Sequence, residues 1–395
     1  MQTLEGGALR LSRRHMLRGL ALTSAALVLP GHRAVAAPGP RQDPETTWRA
    51  FVTGLPKAEL HMHIEGVVDP WLAFELAERN GLRLAHASPE AFARTLTFDS
   101  LESFLRGYGQ MLDVLRTGED FHDATLTYLE RARAENVLYA ELHFDPQAHV
   151  NRGIAFEEVV DGIRSACASA ERDLGIGSRL IMALQRDLDI ESARAVYASA
   201  LARRDDIVGL GLDNYEEPGF PAKFEALFRE AAAEGFRLTS HCDLEVPDSV
   251  EHVRGCIELL GVDRLDHGYS VVESEALTAL CRARGIGLTA CPTTDWNHPD
   301  PLEDYYVAAV TRSVGRMLEL GLRVSLNTDD PGLMGGRYLT DVMVDTRRAL
   351  DLGIDELVTL SRNAFESTWA PEEERRGWLA ALDAYVDDRA PAVPG

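Results

Sequence analysis

The sequence predicts an α/β fold, a (β/α)8 barrel of the TIM type with a helical insertion after its first strand and a further helix near its C-terminus. Short β-like runs alternate with longer stretches of 3.6-residue apolar spacing, and eight strand candidates can be counted. The side chains suited to chemistry fall at the C-terminal ends of those runs, which in a parallel barrel converge on one mouth.

The strand candidates are Ala58 to His63, Val137 to Phe144, Arg179 to Gln185, Ile207 to Asp213, Phe236 to His241, Arg264 to His267, Gly285 to Cys291 and Arg323 to Thr328. Amphipathic runs such as Phe156 to Ala170 and Phe224 to Ala233 separate them, as βαβ crossovers require. Between the first two strands lies an oversized connection from Gly66 to Asn136, with helical patterns near Trp71 to Glu78 and Leu101 to Leu115. An insertion after a barrel strand sits over the mouth, so this one reads as a lid that shapes a pocket. A last helical run, about Glu372 to Val386, precedes a proline-containing tail at 389–395.

Ahead of the barrel, read as residues 51–388, come a polar lead-in at 37–50 and a segment of different character at 1–36. There Arg10, Arg13, Arg14, Arg18 and Arg33 face one acid, Glu5, and flank an apolar run from Leu20 to Leu29. Ser12-Arg13-Arg14-His15-Met16-Leu17 resembles the twin-arginine export signal, and Ala34-Val35-Ala36 is a small-residue cleavage site. The apolar run is too short to span a bilayer, so stable membrane insertion is not expected. The expected partner is the twin-arginine export machinery, and the expected destination is secreted or periplasmic after cleavage near Ala36.

The whole chain carries a formal charge of −23 and a pI of about 4.9. Without residues 1–36 the charge is about −27. Such a surface repels phosphate polymers and argues against a nucleic-acid partner. Five widely spaced cysteines without a C-x-x-C pair do not read as a disulfide framework.

His61-Met62-His63 closes the first strand, and residues two apart on a strand share a face. Two imidazoles side by side suit a divalent metal of intermediate softness. H-x-H alone is weak evidence. Its companions strengthen it: His241 ends the fifth candidate strand, His267 the sixth, and Asp329-Asp330 follow the eighth.

These residues carry a resemblance to the adenosine and adenine deaminases of the amidohydrolase superfamily. Its pieces, in order, are Pro56-Lys57-Ala58-Glu59-Leu60-His61-Met62-His63-Ile64-Glu65-Gly66, Thr239-Ser240-His241, Arg264-Leu265-Asp266-His267-Gly268, Cys291-Pro292 and Thr328-Asp329-Asp330-Pro331. The resemblance implies one zinc ion per chain, bound by His61, His63, His241 and Asp329, with water in the remaining position. It implies that His267 orients or deprotonates that water and that Asp330 helps hold it and accepts its proton. A carboxylic acid must then protonate the ring nitrogen so that ammonia can leave.

The sequence departs from its relatives at that acid. Where they carry H-A-G-E, this chain reads His241-Cys242-Asp243-Leu244-Glu245, with leucine in the acid's place. Glu245, whose longer side chain could cover the offset, is favoured as donor over Asp243. The plain alternative makes both solvated loop acids.

Tyr139 to His149 with Arg152-Gly153, Gly209 to Asp213, and Phe220 to Phe224 look like the branch acting on free adenine rather than on the nucleoside. Asp213 and Asn214, with Asp330, are the expected substrate contacts. Asn214 replaces the branch's usual serine, and Thr293-Thr294-Asp295-Trp296-Asn297 stands where the family has a Ser-Asn pair. The expected activity is zinc-dependent deamination of an aminopurine: adenine, a modified adenine or adenosine. Two alternatives stand beside it: zinc-dependent hydrolysis of another heterocycle, and a secreted binding protein that has lost catalysis.

Overall fold

In the computed structural model, the described residues are 43–242, 246–294, 297 and 304–393. Residues 1–36, read above as an export signal, and Asp243, Leu244 and Glu245 lie outside them, as do Asp295 and Trp296.

The strands are β1 Lys57–Glu59, β2 Val137–Phe144, β3 Gly177–Gln185, β4 Ile207–Asp213, β5 Arg237–Leu238, β6 His241–Cys242, β7 Arg264–His267, β8 Gly287–Ala290 and β9 Arg323–Leu326. Neighbouring strands pair in parallel, β1 to β5 in one run and β6 to β9 in another. The predicted fifth strand is thus two short pieces, β5 on β4 and β6 on β7, joined through Thr239 and Ser240. Thr239 N–H donates to Leu210 O (2.9 Å) and Asp266 N–H to Ser240 O (2.9 Å), so the position stays stitched on both sides.

Closure falls at the H-x-H sequence. The regular part of β1 ends at Glu59, earlier than the sequence pattern suggests, because Leu60 N–H turns to the Asn327 side chain (2.8 Å). Met62 then bridges Asp329, and His63 bridges His143. His63 N–H donates to Asp329 O (2.9 Å) and Asp329 N–H to His61 O (3.1 Å), sealing the first strand against the last.

The insertion folds into helices Pro70–Arg79, Pro89–Ala93, Leu101–Leu112 and Gly118–Ala134. Each has a local start signal. Asp69 and Ser88 cap helices with proline at the first position, and Ser100 with Ser103 and Thr117 with Asp120 form capping boxes. Helix Leu101–Leu112 turns Tyr108 and Met111 inward.

A helix begins at Pro44, capped by Asp43, inside the polar stretch read as a lead-in. Trp48, Phe51 and Val52 are its buried face, and the C-terminal helix Glu372–Arg389 meets it where Tyr385 Oη–H donates to Phe51 O (2.9 Å). No helix among the described residues is long and apolar enough to cross a membrane.

Candidate metal centre and active site

His61, His63, His241, His267, Asp329 and Asp330 all arrive at the same mouth. The ligating atoms of His61, His241, His267 and Asp329 lie within 4.8 Å of one another. His61 Nε2 stands 3.1 Å from Asp329 Oδ1, and His63 Nε2 is 3.1 Å from His241 Nε2 and 3.7 Å from Asp329 Oδ1. The histidines are buried, and no protein group satisfies His61 Nε2. Buried imidazoles do not crowd a carboxylate in this way without a purpose beyond packing.

A hydrogen bond behind His61 and carboxylates behind His241 and His63 indicate which nitrogen of each ring faces inward. Thr289 Oγ1 gives its single hydrogen to Asp266 Oδ1 (2.8 Å), so at 3.1 Å it accepts from His61 Nδ1 and leaves Nε2 as a lone pair. The same carboxylate, through Oδ2, stands 3.5 Å from His241 Nδ1. On the other side His63 Nδ1 faces Asp145 Oδ1 at 3.8 Å. All three imidazoles therefore present Nε2 to one point, with carboxylates behind two of them, the arrangement that orients metal-bound histidines.

His267 is turned the other way. Tyr269 Oη accepts from Cys291 N–H (2.9 Å) and lies 3.3 Å from His267 Nδ1, toward which its own hydrogen can point. That leaves the His267 proton on Nε2, 3.8 Å from Asp329 Oδ2. Burial lowers the pKa of this imidazole to about 3, outweighing the nearby Asp329 charge, so it is neutral at ordinary pH.

The field of the site favours a cation. Burial works against charge on His63, yet the hydrogen bond and charge of Asp145, with the nearby Asp329 charge, raise its pKa well above the ordinary value. Burial likewise opposes charge on Asp266, but His61, His143 and Arg264 hold its carboxyl at about 2. Asp330 behaves in the opposite sense: burial and the adjacent Asp329 charge push its pKa well up, which favours a retained proton. Three inward nitrogens, one low-pKa carboxylate and an attraction for positive charge fit a zinc ion by donor chemistry.

Beside this cluster opens a pocket of about 320 Å³, at the small end of the usual 300–1,000 Å³ range for small-molecule sites. Phe104, Leu105 and Leu112 of the insertion make its apolar wall, as the lid reading anticipates, and Gln185, Asp213 and Asn214 line it from the barrel. Tyr108 Oη–H donates to Asp145 Oδ2 (2.8 Å), tying the lid helix to the floor. Asp213 is buried, and burial together with the Asp145 charge raises its pKa well above the carboxylate range. His267, Asp329 and Asn214 all have positive φ (66°, 60° and 68°), a conformation unusual outside glycine that concentrates at functional sites.

Sequence reasoning did not single out Asp145, Asp266, Tyr108 or Tyr269. Asp145 obeys the strand-end rule used for the histidines, directly after β2, and was findable. Asp266 precedes His267 on β7, and only the assembled barrel reveals that it underlies two rings, those of His61 and His241. His149 is engaged by Glu65 (2.7 Å) and Arg152 (2.6 Å), away from the cluster. His143 Nε2 comes only to 3.9 Å of Asp266 Oδ2.

Comparison with known proteins follows this geometry. The adenosine deaminase family pattern matches residues 56–385. An adenine deaminase of Rhodospirillum rubrum is 43% identical over 337 residues, 85% of this chain and 98% of that protein. Among solved structures, adenine deaminase from Arthrobacter aurescens is 36% identical with a TM-score of 0.78, covering 84% of this chain and 99% of that one. An amidohydrolase from Burkholderia ambifaria, solved with bound Zn, is 29% identical with the same TM-score, covering 90% and 96%.

Proposed function

The chain belongs to the adenosine deaminase family, and we propose that it removes the exocyclic amino group of adenine or a modified adenine by hydrolysis, using one zinc ion. One observation carries this reading: the converging imidazoles and Asp329 form one wall of a pocket with room for a purine base. The near full-length likeness to adenine deaminases supports it, and the intact donor set speaks against a lapsed binding protein.

His61, His63, His241 and Asp329 would hold the metal. When bound, zinc supplies the Lewis acidity that makes water a nucleophile near neutral pH. His267, neutral and with its proton on Nε2, orients the attacking water, and Asp330 takes part in moving its proton. Asp213, whose carboxyl holds a proton, can donate to an acceptor nitrogen of the ring, while Asn214 offers a donor and an acceptor beside it. Glu245, with Asp243 as the alternative, protonates the ring nitrogen next to the reacting carbon.

The likeness to adenine deaminases supports free base over nucleoside. Comparing kcat/KM for adenine, N6-methyladenine and adenosine tests this, with adenosine expected poorest and a clear adenosine preference contradicting it. Residues 1–36 are proposed to direct twin-arginine export to an extracytoplasmic location. Arg13→Lys with Arg14→Lys is then expected to leave active enzyme inside the cell, and normal secretion of that variant would refute the proposal.

A further inference from the structure

β6 is two residues long and is held by a backbone ladder on one side only. His241 pairs with Asp266 and Cys242 with His267 on β7. Toward β4 the ladder stops at Leu210 and Leu238, followed by the bond from Thr239 N–H to Leu210 O. The carbonyl of His241 therefore lies where the sheet backbone supplies no partner, and the adjacent Ser240 Oγ–H donates to it (3.1 Å).

Arg186 fills that place. It follows β3, is fully buried, and its backbone N–H donates to Asp213 O (3.1 Å). Its Nη1 donates to the carbonyl of His241. Its Nη2 donates to Asn214 O (2.8 Å), and its Nε is shared between Asn214 O and Tyr215 O (3.1 Å each). Glu216 Oε2 lies 3.4 Å from Nη2, and Glu216 Oε1 is engaged by His252 Nδ1 at 2.6 Å. The Phe220 ring packs against the guanidinium, 4.7 Å from its centroid, and Lys223 Nζ donates to Arg186 O (2.7 Å).

One planar cation thus bridges the ends of two barrel positions. At one end is the backbone of His241, whose ring reaches the metal cluster. At the other are Asn214, held at positive φ, and Tyr215, both on the pocket wall. Arg186 is not among the pocket's lining residues. We propose that Arg186 is a positioning residue that replaces the missing ladder, coupling the placement of a metal-binding imidazole to that of the wall recognising the base. This rests on His241 being a metal ligand. A fork of fixed geometry can serve three carbonyls at the ends of two strands at once, whereas a lysine ammonium on a flexible stem cannot hold the same spacing.

The test uses the full mature chain and measures zinc affinity by competition with a chelator, KM for adenine, and the melting temperature of metal-free protein. Arg186→Lys is expected to weaken zinc binding about tenfold or more, the size seen when groups supporting metal ligands are lost, and to raise KM several-fold. A role in stability alone would lower the metal-free melting temperature and leave both constants at wild-type values, and that result overturns the proposal. If Arg186→Lys fails to fold, Glu216→Gln decides, because it removes the counter-charge that seats the guanidinium. Several-fold weaker zinc binding supports the proposal, and unchanged constants overturn it. His241→Ala separates the two readings: zinc affinity unaffected there would refute the ligand assignment itself, while loss of zinc there with wild-type constants in Arg186→Lys and Glu216→Gln refutes only the coupling.

Discussion

A Cβ atom on Gly66 would stand 1.9 Å from Asp330 Oδ1. The glycine that closes the first motif is thus a seat for the second aspartate of the last one. Gly332 N–H also donates to Gly66 O (2.7 Å), fixing the two loops together. Gly66→Ala is expected to push the Asp330 carboxyl out of place while leaving the metal donors intact. Turnover of adenine should fall at least about tenfold, with zinc content near one per chain. Wild-type turnover in a folded Gly66→Ala protein would remove Asp330 from the proposed chemistry.

The proton donor is decided by a pair of substitutions. Glu245→Gln is expected to keep zinc, keep KM within about tenfold and lower kcat by roughly a hundredfold or more, the loss associated with a general acid. Asp243→Asn is expected to do much less. The reverse pattern transfers the role to Asp243, and near-normal turnover in both assigns ring protonation to another group.

Glu59 gives the fold a pH dependence of known sign. It is buried beneath the last strand, accepting from Thr328 N–H (2.8 Å), Thr328 Oγ1 (2.5 Å) and Tyr128 Oη (2.6 Å). Burial raises its pKa from 4.5 to about 7 despite those three donors. Between these values the folded chain holds a proton that the unfolded chain has released. The contribution is therefore fully present below pH 4.5 and is lost as pH rises through 7, by at most about 3 kcal/mol. Glu59→Gln mimics the protonated group. Its melting temperature relative to wild type is expected to improve from pH 5 to about pH 7 and to level off above that, and a difference independent of pH would contradict the assignment.

Much of this site was legible because barrel chemistry gathers at strand ends. Val137–Phe144 and Ile207–Asp213 stand where their apolar runs put them, and each histidine of the motif set reaches the mouth. What the sequence hid depends on distant partners. The break between β5 and β6 arises where Thr239 and Ser240 bond to different neighbours on either side. The helix starting at Pro44 carries few apolar residues, and its burial is explained by Tyr385 and by Arg347 stacked on Trp48. Arg186 and Asp266 look like ordinary charged residues in the chain, and acquire roles only once strands far apart in sequence meet.

This chain is a zinc-dependent deaminase of an adenine-type base. Ammonia release from adenine, measured on the purified protein before chelation, after chelation and after zinc is restored, tests this. Ammonia and hypoxanthine are expected in equal amounts from protein holding about one zinc per chain, with no turnover after metal removal and recovery when zinc returns. His61→Ala and Asp329→Ala should lose both metal and turnover. Undiminished ammonia release by demonstrably metal-free protein would contradict it, as would a zinc-loaded chain that releases no ammonia from adenine or any modified adenine.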